Sequence, residues 1–253
     1  MTSVLDRSGK LLVNPVDALG RWREYFEELL NVGENTFSNV SNFDVQWDSN
    51  DDGNGITLEE VKRMVNRLQC NKAAGVDEIK SELIKYSGLS GLKWLHRIIN
   101  MAWESGQVPS DWTKAVITPI FKNGNRKDCN NYRGISLISV VGKIFSGIVE
   151  RRVRVLVEDK LDENQCGFRP LRGCQDQIFS LRQIMEKSYE WNRELYLCFI
   201  DLEKAYDRVP RGKLLSVLRD YGIGGKLLQA IKGLYLDSQA AVRVDGKIIE
   251  FMV

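Results

Sequence analysis

The sequence predicts an α/β fold of the α+β type, rich in helices and with an incomplete sheet. Apolar residues recur at helical spacing in several segments, whereas the β-prone runs are short and widely separated. Hydrophobic residues make up 43% of the 253 residues, as in an ordinary packed globular protein. This length suits one large domain or two small ones.

Composition narrows the partners and the compartment. Because the net charge is only +2, a nucleic-acid partner would have to be held by a local basic surface. The cysteines are scattered and form no CxxC pair, which argues against a zinc site and a disulfide framework; they are Cys70, Cys129, Cys166, Cys174 and Cys198. The N-terminal residues show no apolar leader, and no run reaches the ~18 apolar residues of a membrane span. We expect an intracellular protein, nuclear or cytoplasmic, without membrane contact.

The first predicted element is an amphipathic helix. Asn14 and Pro15 are typical of a helix N-cap and first helical position, and apolar residues then recur at helical spacing to about Asn31. From there to Gly55 the chain is rich in Asn, Ser, Asp and Gly, which indicates a polar linker. The acidic residues of this segment do not follow the ligand order of a calcium-binding loop, so a linker is favoured over a calcium site. Residues 1–56 are therefore predicted to be an N-terminal helix and linker, with the folded domain beginning near Thr57.

Helices and one extended segment follow. Thr57 and Glu60 have the spacing of a capping box, and Val61, Met64, Val65 and Leu68 then recur at helical spacing. Further helices are predicted over about 92–104 and 140–157. Between these two helices, residues 112–122 read as extended, and Pro119 places that strand at a sheet edge or a bulge.

Residues 195–200 form an unbroken apolar run that ends in Asp201. Because the run does not alternate, it predicts a central strand that is covered on both faces. An unpaired carboxylate near a core is costly, so the charge of Asp201 needs compensation. Two explanations stay open: Asp201 ends the strand in a turn or pairs with Lys204 or Arg208, or it binds a divalent cation, with Mg²⁺ preferred.

Two helices and a hairpin are predicted after this strand. Pro210 opens the first helix and Gly222 stops it, and the second helix spans about 225–236. The last two β-prone arms flank Asp245 and Gly246, which predicts a two-residue hairpin turn.

Four segments, taken in order, resemble the reverse transcriptase of non-LTR retrotransposons. They are NKAAGVDEIKSELIK (71–85), TKAVITPIFKNGNRKDCNNYRGISLISVVGKIF (113–145), LDENQCGFRPLRGCQDQIFSLRQI (161–184) and LYLCFIDLEKAYDRVPR (195–211). The resemblance implies a right-hand polymerase, with 57–190 as the fingers-like part and 191–253 as the first part of the palm. It also implies an RNA template, a DNA primer and dNTPs as partners, and Mg²⁺ as cofactor.

The resemblance assigns roles around the apolar run. Asp201 matches the first catalytic aspartate, which is a Mg²⁺ ligand, and the backbone carbonyl of Leu202 is expected to be a further ligand. Tyr206 matches the aromatic residue that lies against the sugar and rejects a ribose 2′-hydroxyl. Asp207 belongs to the same motif and is interpreted as structural.

The resemblance also assigns nucleotide and template contacts. Arg133 matches the arginine that contacts the incoming triphosphate, and Lys122 matches a second basic residue there, or else is simply solvated. The template-supporting segment QxGFR is matched by Gln165, Gly167, Phe168 and Arg169.

Two other groups have both a functional and a structural interpretation. Gly75 and Asp77 match a segment of the fingers, and an ordinary loop capped by Asp77 is the alternative. A basic helix face either follows a nucleic-acid backbone or is solvated; it consists of Arg151, Arg152 and Arg154.

The sequence departs from the family pattern after its terminal hairpin. No Asp-Asp pair follows Asp201, and a metal pair needs more anionic ligands than one carboxylate and one carbonyl. We therefore expect a truncated reverse transcriptase fragment with an incomplete two-metal site, inactive alone. A non-catalytic nucleic-acid-binding remnant and a poorly folding, non-functional relic are the alternatives.

Overall fold

The computed structural model describes residues 3–31, 40–45 and 54–252. Its α-helices are α1 (Pro15–Leu30), α2 (Leu58–Arg67), α3 (Ser81–Lys85), α4 (Gly88–Ser105), α5 (Val140–Val157), α6 (Cys174–Glu190), α7 (Arg211–Asp220) and α8 (Gly225–Tyr235). Its strands are β1 (Val4–Leu5), β2 (Leu11–Leu12), β3 (Lys114–Phe121), β4 (Tyr132–Ile138), β5 (Gln239–Val244) and β6 (Lys247–Met252). These elements confirm the predicted α/β class. None of the described helices is both long and apolar enough to cross a membrane.

The main sheet has the strand order β4-β3-β5-β6. β3 is antiparallel to β4 and parallel to β5, so it is a central strand and the predicted edge position is wrong. The N–H of Lys122 donates to the Asn131 carbonyl at 2.9 Å, so it faces β4. Successive backbone N–H groups of a strand face opposite sides, and the nitrogen of Pro119, three residues earlier, therefore faces away from β4. On that other side β5 pairs only with residues 114–117. Proline is tolerated because its missing N–H falls beyond the end of the β5 pairing.

The terminal hairpin is confirmed. β5 and β6 pair through Val244 and Lys247, and the two residues between them, Asp245 and Gly246, have φ of 49° and 80°. Two consecutive left-handed residues make the turn whose twist matches that of the flanking strands.

Helix α1 packs against this sheet as part of a hydrophobic core. Asn14 caps the helix by accepting the Val16 N–H at 3.0 Å, as predicted. Trp22 and Phe26 are each 1% exposed, and the Trp22 ring lies 4.9 Å from that of Tyr132 at the start of β4. The predicted N-terminal helix therefore packs on the main sheet, while the domain boundaries at 57 and 191 stay predictions. The predicted polar linker lies largely outside the described residues.

A second core is built from helices. α2, α4, α5, α7 and α8 meet there through Val61, Ile99, Phe145, Leu215 and Leu228. The capping box is confirmed, since Thr57 accepts the Glu60 N–H at 3.2 Å and Glu60 accepts the Thr57 N–H at 2.8 Å. α5 has the predicted bounds, α4 begins four residues before the predicted start at about Leu92, and Pro210 is the N-cap of α7.

The prediction of a buried central strand at 195–200 is wrong. The structure has no strand there, and Tyr196, Phe199 and Ile200 are 80–86% exposed. Within the described chain, β4 and β5 already occupy both sides of β3, and every residue of the run is exposed. Helix α6, which the sequence analysis did not predict, is likewise exposed and contributes no buried residue.

Candidate functional site

Two predicted phosphate contacts share one face of the β3–β4 hairpin. The register pairs Ile120 with Arg133, and Lys122 continues the ladder through its hydrogen bond to Asn131. Because side chains two residues apart on a strand lie on the same face, Ile120, Lys122 and Arg133 lie together. All three side chains are exposed. The hairpin therefore presents two cations to solvent from neighbouring strands.

The opposite face of the hairpin is covered by α1. A Cβ on Gly134 would lie 2.7 Å from Phe26 Cε1 and 2.9 Å from Ile117 Cγ2, so only glycine lets the helix approach this closely. The residue next to Arg133 is thus small because the helix rests on it. Helix α1 consequently supports the strand that carries Arg133.

Asp201 lies on an exposed, irregular stretch between Ile200 (84% exposed) and Leu202 (71% exposed). Neither of its predicted ion-pair partners contacts it. Arg208 pairs with Glu203 at 3.6 Å, and the Lys204 ammonium donates to the Tyr25 hydroxyl. The interpretation that Asp201 is paired within this chain therefore has no contact to support it, and the carboxylate is open to solvent.

The fit of these residues to magnesium is partial. Asp201 and the Leu202 carbonyl offer the hard oxygen ligands that Mg²⁺ prefers. Among the residues that the structure describes, no group of three His, Cys, Asp or Glu side chains converges to hold a metal ion. Two neighbouring cations repel each other and need several anionic ligands. The described residues do not form a two-metal site.

Asp207 lies in a different environment from Asp201. Partial burial raises the pKa of Asp207 above its ordinary value, and the nearby Lys204 ammonium opposes the rise. The Asp207 N–H donates to the Lys204 carbonyl at 3.0 Å, which closes the turn after Asp201. These contacts agree with the structural interpretation of Asp207.

The structure brings Phe168 and Tyr206 together. Their ring centroids lie 5.6 Å apart with an interplanar angle of 89°, an edge-to-face contact. Both rings stay largely exposed, at 82% and 75%. The predicted template segment and the predicted sugar contact are thus neighbours. Sequence reasoning missed this contact because nothing in the local pattern links residues 38 positions apart.

The loop that carries Phe168 is held by two arginines. Arg169 Nε donates to Glu158 at 2.9 Å and its Nη1 donates to the Asp162 carbonyl at 2.8 Å, while Arg154 donates to the Phe168 carbonyl at 2.8 Å. Only 8% of the Arg169 side chain is exposed. Arg169 therefore positions the loop, and its predicted template contact stays a prediction, as do those of Gln165 and Gly167.

The loop with Gly75 and Asp77 packs on the junction between β4 and α5. A Cβ on Gly75 would lie 2.4 Å from the Ile138 carbonyl carbon and 2.5 Å from the Ser139 nitrogen. Asp77 accepts the Ile79 N–H at 3.1 Å. The ordinary loop capped by Asp77 is thus what the structure contains, and glycine is needed for backbone packing.

Arg152, on the basic face of α5, is used for structure. It donates to Glu60 at 2.9 and 3.0 Å and to the carbonyls of Asn54 and Gly55, and its guanidinium lies 4.7 Å from the Trp103 ring centre. Burial opposes ionisation of Glu60, but the hydrogen bonds from Arg152 and Thr57 outweigh it and lower the pKa of Glu60 to about 2. This arginine is therefore not a free cation on a nucleic-acid path.

Comparison with known proteins identifies the family. The model of the family "Reverse transcriptase (RNA-dependent DNA polymerase)" matches residues 120–251, about half of the chain. The RNA-directed DNA polymerase from mobile element jockey of Drosophila funebris is 30% identical over 199 residues, which are 76% of this chain and 21% of the relative.

Two further relatives have similar coverage. The Transposon TX1 uncharacterized 149 kDa protein of Xenopus laevis is 25% identical over 193 residues, 76% of this chain and 15% of the relative. The Retrovirus-related Pol polyprotein from type-2 retrotransposable element R2DM of Drosophila melanogaster is 25% identical over 193 residues, 76% of this chain and 17% of the relative. The chain spans about a fifth or less of the length of these relatives. With its half-chain match to the family model, the chain belongs to the reverse transcriptase (RNA-dependent DNA polymerase) family.

Proposed function

We propose that the chain supplies nucleotide-binding and strand-positioning residues for DNA synthesis from dNTPs on an RNA template with a DNA primer. The observation that carries this proposal is the exposed hairpin face with Lys122 and Arg133. A triphosphate needs converging cations, and the planar guanidinium of Arg133 suits phosphate oxygens. We place these partners inside the cell, because the five cysteines are free thiols, which are typical of a reducing compartment.

Further residues support this assignment. Phe168 and Tyr206 offer adjacent aromatic edges and faces on which a base or sugar can rest. Asp201 stands five residues before Tyr206 with an exposed carboxylate, which suits a single Mg²⁺ with bound phosphates. We assign no reaction step to a metal pair, because the described residues do not form a site for one.

Replacing both Lys122 and Arg133 by glutamine is expected to weaken dNTP binding by about 10- to 100-fold. Each change removes a charge-assisted contact worth about 1.5–3 kcal/mol at most, and solvent exposure reduces that value. Equilibrium dialysis with labelled dTTP in the absence of divalent cations measures the effect. Lys127→Gln, in the same β3–β4 connection, is the matched control and should bind as the unaltered chain does. Equal affinity in all three proteins would refute the assignment.

Primer extension tests the complete reaction. With an RNA template, a DNA primer, dNTPs and Mg²⁺, the 253-residue chain alone is expected to yield no extended product. Two metal ions need several anionic ligands, and Asp201 supplies only one carboxylate. Extension that is lost in Asp201→Ala would show instead that the chain completes its metal site. A non-catalytic binding remnant would bind RNA equally well with and without that substitution.

A further inference from the structure

A basic cavity separates α1 from the segment that follows Asp201. Its volume is about 560 Å³, and no predicted site residue lines it. Its lining includes four cations, which are Arg7, Arg21, Lys204 and Arg208. It also includes the acid Glu28 and the amide Asn130, which lies in the β3–β4 connection. We propose that this cavity is a phosphate-binding site for the backbone of a nucleic-acid strand.

The cations differ in how far their charges are already compensated. Arg7 pairs with Glu24 at 2.7 Å and with Glu28, so it has little left to offer a ligand. Arg21 pairs with Glu24 at 3.0 Å through Nη1, but its Nε is buried without a hydrogen-bond partner among the described residues. A buried donor without an acceptor is costly unless a ligand or water supplies one. Arg21 lines the cavity, and in the part of the chain that the structure describes its charge is compensated only by Glu24, which it shares with Arg7.

Lys204 provides the second donor. Its ammonium sits 4.7 Å from the Tyr25 ring centre and donates to the Tyr25 hydroxyl, and it opposes the rise that burial causes in the pKa of Asp207. The backbone of Lys204 has φ of 49°, a conformation that residues other than glycine rarely adopt. Its ammonium lies against α1, on the wall of the cavity.

The position of the cavity favours a strand over a small anion. Its lining comes from the N-terminal residues, α1, the β3–β4 connection and the segment 204–208. Lys204 is three residues from Asp201, so the cavity wall lies within about 10 Å of chain from that residue. The volume also exceeds what one phosphate fills. Arg208, with 49% of its side chain exposed, adds a solvent-accessible cation to the lining.

Salt-dependent RNA binding by the 253-residue chain tests the site. The probe is a fluorescent 12-nucleotide oligouridylate, and its affinity is measured by anisotropy from 50 to 300 mM KCl. Each phosphate contact on a single strand contributes about 0.7 to the slope of log affinity against log salt. Arg21→Gln with Lys204→Gln should lower that slope by about 1.4. Arg208→Gln, at a position where 49% of the side chain is exposed, is expected to fold as the unaltered chain does and to lower the slope by about 0.7.

Two controls separate charge from packing. Tyr25→Phe removes the hydroxyl partner of Lys204 and keeps every cation, and Lys62→Gln removes an exposed cation of α2; both should leave the slope unchanged. An unaltered slope in Arg21→Gln with Lys204→Gln and in Arg208→Gln would overturn the proposal. So would the same loss in Tyr25→Phe, or no binding by the unsubstituted chain.

A second arm identifies the source of the phosphate. Competition with dTTP and with inorganic phosphate shows whether free anions occupy the cavity; dependence of dTTP binding on Arg21 and Lys204 would assign it to a nucleotide phosphate. The cavity proposal rests on the proposed function, but each of the two can be refuted without the other. If the Arg21 and Lys204 variant loses RNA binding while the Lys122 and Arg133 variant binds dTTP normally, the cavity proposal holds and the hairpin assignment is refuted. If the first variant binds RNA normally while the second loses dTTP binding, the hairpin assignment holds and the cavity proposal is refuted.

Discussion

Replacing Trp22 with alanine is expected to lower the free energy of unfolding by about 3 kcal/mol, the lower end of the range of about 3–5 kcal/mol for buried aromatic residues. Trp22 is 1% exposed and packs against Tyr25, Phe26 and Tyr132. Its indole N–H is buried without a partner among the residues that the structure describes, so the substitution also removes an unsatisfied donor, which offsets part of the loss. Urea unfolding followed by circular dichroism gives the value.

Trp94 provides the matched control. It lies on α4 with 64% exposure, so Trp94→Ala should change the free energy of unfolding by no more than about 0.5 kcal/mol. A cooperative transition that shifts in Trp22→Ala and not in Trp94→Ala would show that α1 belongs to the cooperative unit. Equal effects would place α1 outside it and favour a domain that begins near Thr57. A broad, non-cooperative transition in the unsubstituted chain would favour the poorly folding relic.

Replacing Arg152 with methionine is expected to cost about 2–3 kcal/mol of stability. Removal of one partner from a buried ion pair costs about 3–5 kcal/mol, and the 22% exposure of the Arg152 side chain reduces that cost. The substitution leaves the Glu60 carboxylate without its strongest donor and the Gly55 carbonyl without the Arg152 N–H. Methionine keeps much of the apolar contact with Trp103. The measurement is again urea unfolding at pH 7.

The effect of Arg152→Met should depend on pH. The pKa of Glu60 is about 2 in the folded chain and ordinarily 4.5, so the ionised carboxylate contributes stability that is fully present above pH 4.5. That contribution is lost as the pH falls from 4.5 to about 2. The stability difference between the two proteins should therefore shrink over this interval. A constant difference would mean that Glu60 is not the group that Arg152 stabilises.

Arg151→Met is the control for charge on the same helix. Arg151 is exposed and precedes Arg152, so both substitutions remove one cation from α5. We expect Arg151→Met to leave stability unchanged within about 0.5 kcal/mol. If Arg152 followed a nucleic-acid backbone instead, its loss would weaken RNA binding and spare stability, which is the opposite of the result expected here.

Local sequence signals predicted the elements whose cause is local. The Thr57 capping box, the cap at Asn14 and the turn at Asp245 and Gly246 are hydrogen-bonding or backbone devices of a few residues. Each of them formed as expected. The helix over 174–190 was missed although Ile178, Leu181 and Met185 recur at helical spacing, and the structure leaves this apolar face unburied. Its identity as a helix rests on backbone propensity without packing.

The sequence by itself determined the family and the residues proposed to contact the nucleotide, since the order and spacing of motifs can be recognised without knowledge of packing. Only the tertiary structure decided which side chains lie together: Lys122 and Arg133 on one face of the β3–β4 hairpin, Phe168 against Tyr206, and Lys204 against Tyr25. It also decided against a buried strand at 195–200. A run of apolar residues predicts that a segment is buried, but it does not predict which other segment packs over it.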